Sequence, residues 1–162
     1  MKKILLFSTL LFALVFTSAA LQCQQLTVQT DSGKEVVLSL AELETMPHIK
    51  VTVPEHSSGP VEFEGVTLKS VLEKAGVAFG ESMKGKRLTN CLLVEAADGY
   101  RVVIALPELD PAFTDKQTLL AFLRDGKALG EKEGPYRIVI PDEKRMARWV
   151  RQVTTLKIVE VQ

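Results

Sequence analysis

Apolar positions along this chain follow two rhythms. Ile49, Val51 and Val53 alternate with Lys50 and Thr52, the pattern of a strand with one buried face. Gln25 to Thr30 and Glu35 to Leu38 read as strands joined by the turn Asp31-Ser32-Gly33. Leu88 to Ala96 and Tyr100 to Leu106 are joined through Asp98-Gly99, a pair that predicts a hairpin. Tyr136 to Ile140 is a further strand, stopped by Pro141, and Leu156 to Val161 is the last. The second rhythm is helical. Thr67 can cap a helix on which Leu68, Val71, Leu72 and Ala75 share a face, with Gly76 suited to its end. Ser39-Leu40-Ala41-Glu42 has the form of a capping box, so a short helix starts there and stops at Met46-Pro47. Leu119, Phe122 and Leu123 predict a third helix ending near Asp125-Gly126. Met146, Trp149, Val150 and Val153 predict a fourth. Strands and helices mix, and adjacent strands form hairpins, so the class is α+β rather than a regular βαβ repeat.

The first residues follow neither rhythm. Met1-Lys2-Lys3 precedes an apolar run from Ile4 to Phe16 and then Thr17-Ser18-Ala19-Ala20. A basic start, a short apolar stretch and small residues at a cut site make residues 1–20 a signal peptide, and the run is short for a membrane span. The alternative is lipidation at Cys23, although Gln22 is a poor residue before a lipidated cysteine; the membrane enters only by that route. Residues 24–162 carry no linker or repeat and read as one mixed domain, periplasmic or secreted. The whole chain has 20 Lys+Arg and 20 Asp+Glu, so losing Lys2 and Lys3 leaves the mature part near −2. No nucleic-acid partner is expected of such a charge.

Familiar catalytic constellations are missing. With only His48 and His56, and with Cys23 and Cys91 far apart, no structural zinc site is expected. There is no G-x-S-x-G elbow and no glycine-rich phosphate loop. Cys91 sits in the apolar run Cys91-Leu92-Leu93-Val94 and reads as a buried thiol, the alternative being a disulfide with Cys23 in an oxidising compartment. The suggestive feature is basic: Lys144, Arg145, Arg148 and Arg151 lie on the predicted fourth helix, with Arg137 on the strand before it. Cations so grouped suit a phosphate, or are simply a solvated face partly neutralised by Asp142 and Glu143. His56, in Pro54-Glu55-His56-Ser57-Ser58-Gly59, lies on a loop.

Several segments, in order, resemble the oxidoreductase molybdopterin-binding domain of sulfite oxidase and related periplasmic enzymes. They are Ser39 to Leu43 with Met46-Pro47, Phe63 to Leu68 leading to Ala75-Gly76, and Ala97-Asp98-Gly99-Tyr100. Leu119 to Ala121, Asp125 to Leu129, Gly134 to Pro141 and Arg148-Trp149-Val150 complete the set. The resemblance spans almost the whole mature chain. It implies a mixed α+β domain of the sulfite oxidase fold that holds molybdopterin, the organic part of the molybdenum cofactor, with arginines, lysines and histidines. By position it implies cofactor-binding roles for Arg137 and Arg148 and, more loosely, His56; Arg145 belongs to the same basic group. One departure stands out. Family enzymes ligate molybdenum through a cysteine, and the corresponding stretch, His48 to Glu64, contains none. A soft thiolate has no equivalent in Thr52 or Val53, so metal ligation is not expected and no catalytic residue is assigned.

Three functions therefore remain open. The chain binds a pterin or another anionic small molecule without metal redox turnover. Alternatively, it is a periplasmic molybdenum-cofactor-dependent oxidoreductase subunit working with an electron-transfer protein. In the third reading it is a structural or interaction module that binds no cofactor.

Overall fold

The computed structural model describes residues 25–55 and 59–161. The expected signal peptide, Cys23 and His56 lie outside the described residues. No described helix is long and apolar enough to cross a membrane.

Local signals set the first elements. Strands β1 (Gln25–Gln29) and β2 (Glu35–Ser39) pair antiparallel, and β2 runs directly into helix α1 (Leu40–Glu44). Ser39 makes that transition. Its hydroxyl accepts from the Glu42 N–H at 3.3 Å, while the Glu42 carboxylate accepts from the Ser39 N–H at 2.8 Å. The box is complete, and the chain then turns into β3 (Ile49–Glu55) and β4 (Gly59–Thr67). Thr67 ends β4 and caps α2 (Leu68–Ala75), its hydroxyl accepting from the Ser70 N–H at 3.1 Å. Leu68, Val71, Leu72 and Ala75 are all buried, as their spacing requires. Gly76 ends the helix at φ +102°, a conformation that a Cβ would disfavour.

The remaining strands are β5 (Asn90–Ala96), β6 (Arg101–Ala105), β7 (Leu119–Arg124), β8 (Lys127–Ala128), β9 (Arg137–Val139) and β10 (Val153–Glu160). They build two sheets. The first has the order β2-β1-β10-β5-β6, with only β1 and β10 parallel. The second has the order β3-β4-β7-β8, and β9 also pairs with β7. One apolar cluster contains the inner faces of both sheets and α2. The sheets meet along β9, whose outer edge bonds to the chain entering β10. The Ile138 N–H donates to Val150 O at 2.8 Å, and the Val153 N–H donates to Tyr136 O at 3.0 Å.

Two predicted helices are not helices. Leu119 to Leu123 is strand β7, and its first four residues are all buried. A strand covered on both faces shows a continuous apolar run, which periodicity cannot separate from a buried helix. The segment after Pro141 forms a single 3-10 turn, Met146–Arg148, and then extends. Its Val150 carbonyl then accepts from the Ile138 N–H of β9, and its Val153 N–H donates to Tyr136 O just before that strand, so no helix continues. Cys91 alternates outward on β5 and is half-buried, not fully buried.

Gly65 explains how β4 approaches β7. The register slips between Glu64 and Gly65, and a Cβ on Gly65 would lie 2.1 Å from Leu120 O and 2.6 Å from Ala121 Cα. Only glycine permits that contact.

Candidate ligand-binding cleft

The floor of the site is strand β9. All three of its residues are buried, because β7 pairs along one edge and the Val150–Val153 segment along the other. Arg137 is thereby drawn inside, and its surroundings make that tolerable. Its guanidinium lies 5.1 Å from the Phe63 ring centre and 5.7 Å from Trp149. Its Nη1 donates to Glu133 Oε1 at 2.5 Å, and Arg124 shares that carboxylate at 3.1 Å. Phe63 and Trp149 meet edge to face at 6.2 Å, and the indole N–H donates to Ile140 O at 3.0 Å. Buried cations persist only when paired and stacked in this way.

Above this floor lie adjoining hollows. One of about 310 Å³ is lined by Asp98, Tyr100, Arg137, Met146, Trp149 and Arg151. Another of about 410 Å³ shares Met146 and Trp149 and adds Val53, Pro54, Pro141, Glu143, Lys144 and Arg145. The Tyr100 hydroxyl donates to Ala147 O at 2.8 Å, tying the Asp98-Gly99 hairpin to the basic segment. A third hollow, of about 540 Å³, shares Asp98 and Arg151 with the first and reaches Glu131, Lys132 and Gln152.

The basic group divides in two. Arg148 does not line these three hollows: its Nε donates to Glu143 Oε1 at 2.6 Å, and its Nη2 reaches both Glu143 and, at 3.3 Å, Glu108. Burial works against the Arg148 charge, but the hydrogen bonds to Glu143 and Glu108 outweigh it and push its pKa up. Lys144, Arg145 and Arg151 are exposed and have no ion pair among the described residues.

The residues singled out in the sequence therefore part company. Arg137 and Arg145 border neighbouring hollows, whereas Arg148 belongs to a carboxylate clasp. Glu108 is the partner that the sequence could not announce, since it comes from 40 residues away. Arg151 and Lys144 were visible as part of the charge run and Tyr100 as part of the Ala97-Asp98-Gly99-Tyr100 segment, while Lys132 carried no signal beyond its residue type. His48 lies just before β3, with Nδ1 2.9 Å from Glu64 Oε1.

The donor set suits an anionic ligand with a flat or apolar part, since unpaired cations rim a wall of Met146 and Trp149. It does not suit thiolate ligation of a metal. Cys91 is the one cysteine among the described residues, and it sits at the far end of β5 from the Asp98 turn. At about 3.3 Å per residue, five residues of strand separate it from Ala96 by roughly 17 Å. No described group of three or more His, Cys, Asp or Glu side chains is arranged to hold a metal ion.

Comparison with known proteins agrees with the fold. A search of curated protein sequences gives no significant match. Among solved structures, the sulfane dehydrogenase SoxCD of Paracoccus pantotrophus is similar, with a TM-score of 0.66 and 22% identity over 85% of this chain. At that identity the likeness is one of fold, and this chain spans only 38% of that one. The family model of the oxidoreductase molybdopterin-binding domain matches residues 17–162. From Ser39 to the last strand, then, the motifs, the two sheets joined at β9 and the family match agree, and the chain belongs to the oxidoreductase molybdopterin-binding domain family.

Proposed function

We propose that this chain is an exported protein that binds a pterin or a similar anionic small molecule in the cleft above β9, without ligating molybdenum through a thiolate. One observation carries the reading. Lys144, Arg145 and Arg151 stand unpaired around hollows walled by Met146 and Trp149, while the neighbouring arginines are neutralised. An anion gains most from cations that do not first have to leave another partner. Arg145 and Lys144 would meet the anionic group at one end and Arg151 at the other, with Trp149 and Met146 against the ring. Export rests on the pattern of residues 1–20 and places the protein in the periplasm or outside the cell, with a lipid anchor at Cys23 as the alternative.

Family membership favours a second reading, a periplasmic oxidoreductase subunit that passes electrons to a protein partner. Molybdenum cofactor, when bound, would supply the redox chemistry, and the chain would bind and orient it. Molybdenum content by mass spectrometry and pterin fluorescence, measured on protein exported from its own host, separate the two. Pterin without metal is the expected result. Pterin and metal together would replace the first reading with the second. Neither, with no binding of added 6-carboxypterin, would leave an interaction module on this fold.

A further inference from the structure

Residues 150–153 break the rhythm of the strand they extend. Val150 and Val153 are both buried, although they are three residues apart and strict alternation would put them on opposite faces. The ladder shows why. Ile138 bonds to Val150 and Tyr136 bonds to Val153, so one residue of β9, Arg137, faces two residues of the other chain, Arg151 and Gln152. This is a β-bulge, and Gln152 adopts the left-handed conformation at φ +52°. Of the described residues, only Asp125 shares a positive φ without being glycine, and Asp125 lies in the tight turn between β7 and β8.

Gln152 is held on three sides in that conformation. Its N–H donates to Glu133 O at 2.9 Å, and its carbonyl accepts from the Ala97 N–H at 3.0 Å. Its side-chain amide donates to Glu131 O at 2.9 Å. The three contacts fasten the bulge to the hairpin after β5 and to the turn that carries Lys132. The residue displaced by the bulge is Arg151, which lines both the 310 Å³ and the 540 Å³ hollows.

We propose that Gln152 is a positioning residue for ligand binding: the left-handed bulge that it forms opposite Arg137 turns Arg151 into the cleft. The inference rests on the reading that this cleft binds an anion. A left-handed non-glycine residue that is bonded at each end and along its side chain is the kind of local strain that clusters at binding sites. A bulge is a means of re-aiming one side chain without moving the sheet.

The test is a double-substitution cycle on the full exported chain. Affinity is read by calorimetry with inorganic phosphate and by fluorescence with 6-carboxypterin. Gln152→Val resists a positive φ and is expected to weaken binding about tenfold, as much as Arg151→Ala. Joined in one protein, the two changes should cost no more than about twofold beyond Arg151→Ala alone, because the second acts through the first. Gln152→Asn, which tolerates the left-handed region, should recover affinity to within about threefold of wild type. Losses that multiply in the double variant, or a folded Gln152→Val that binds like wild type, would overturn the role of Gln152. If Gln152→Val does not fold, Gln152→Ala serves in the same cycle. Unchanged binding in both Arg151→Ala and Arg145→Ala would instead sink the reading of the cleft itself.

Discussion

Arg137 and Arg151 face each other across one rung of the β9 edge, and they meet opposite fates. Arg137 is buried on β9, packed against both Phe63 and Trp149 and paired with Glu133. Arg151 sits on the bulge, exposed, at the join of two hollows. The same division runs through the neighbouring segment, where Arg148 is clasped by Glu143 and Glu108 while Lys144 and Arg145 stand unpaired. A run of cations is thus two systems: a floor held by carboxylates and rings, and an unpaired rim that the proposed ligand would use.

That division can be broken, and the largest effect should come from the floor. Gly65→Ala drives a Cβ into the backbone of β7, the strand on which β9 lies. It should cost more than about 3 kcal/mol, read as a lower denaturant midpoint. A midpoint within error of wild type would mean that β4 and β7 can separate freely. Arg137→Met removes the buried guanidinium and leaves Glu133 with Arg124 as its one cation among the described residues. A loss of about 2 kcal/mol is expected from unfolding curves; no loss would move Arg137 from floor to rim.

Arg148 and Arg145 sharpen the contrast because they are near in sequence. Arg148→Ala should lower stability by about 1 kcal/mol and change 6-carboxypterin affinity by less than about twofold. Arg145→Ala should do the reverse, with a stability change under about 0.5 kcal/mol and about tenfold weaker binding. Calorimetry and thermal melts on the two variants decide it, and exchanged outcomes would return Arg148 to the ligand site that its motif position implies.

The smallest effect lies away from both systems, in the capping box. The Ser39 backbone N–H, and then its hydroxyl, hold the Glu42 carboxyl below the usual carboxylate range. A depressed folded value means that this stabilisation is present above the ordinary carboxylate pKa and is lost as pH falls through the folded value. Glu42→Gln should therefore flatten slightly the acid limb of melting temperature against pH. A steeper limb would contradict the box.

Legibility in the sequence followed the range of the interactions. The Ser39 box, the Thr67 cap, Gly76 and the Asp98-Gly99 turn were readable because each is settled within a few residues. Leu119 to Leu123 misled, since burial on both faces erases the period that distinguishes strand from helix. The basic segment misled for a related reason: helical spacing in Met146, Trp149 and Val150 was real, yet after one 3-10 turn the Val150 carbonyl bonds to Ile138 of β9 and the chain extends. The site was half legible. Arg137 and Arg145 do border the hollows, but which cations are spent on carboxylates depended on Glu108 and Glu133, and nothing local specifies either.

By itself, then, the sequence determined the caps, the turns, the α+β class, the family and the stock of cations near the C-terminus. Tertiary structure alone decided that Arg137 is buried, that Arg148 is clasped and that Arg151 stands exposed beside two hollows. The physical reason is that charge is assigned locally, whereas the environment of a charge is made by whichever strand, ring or carboxylate the fold brings beside it.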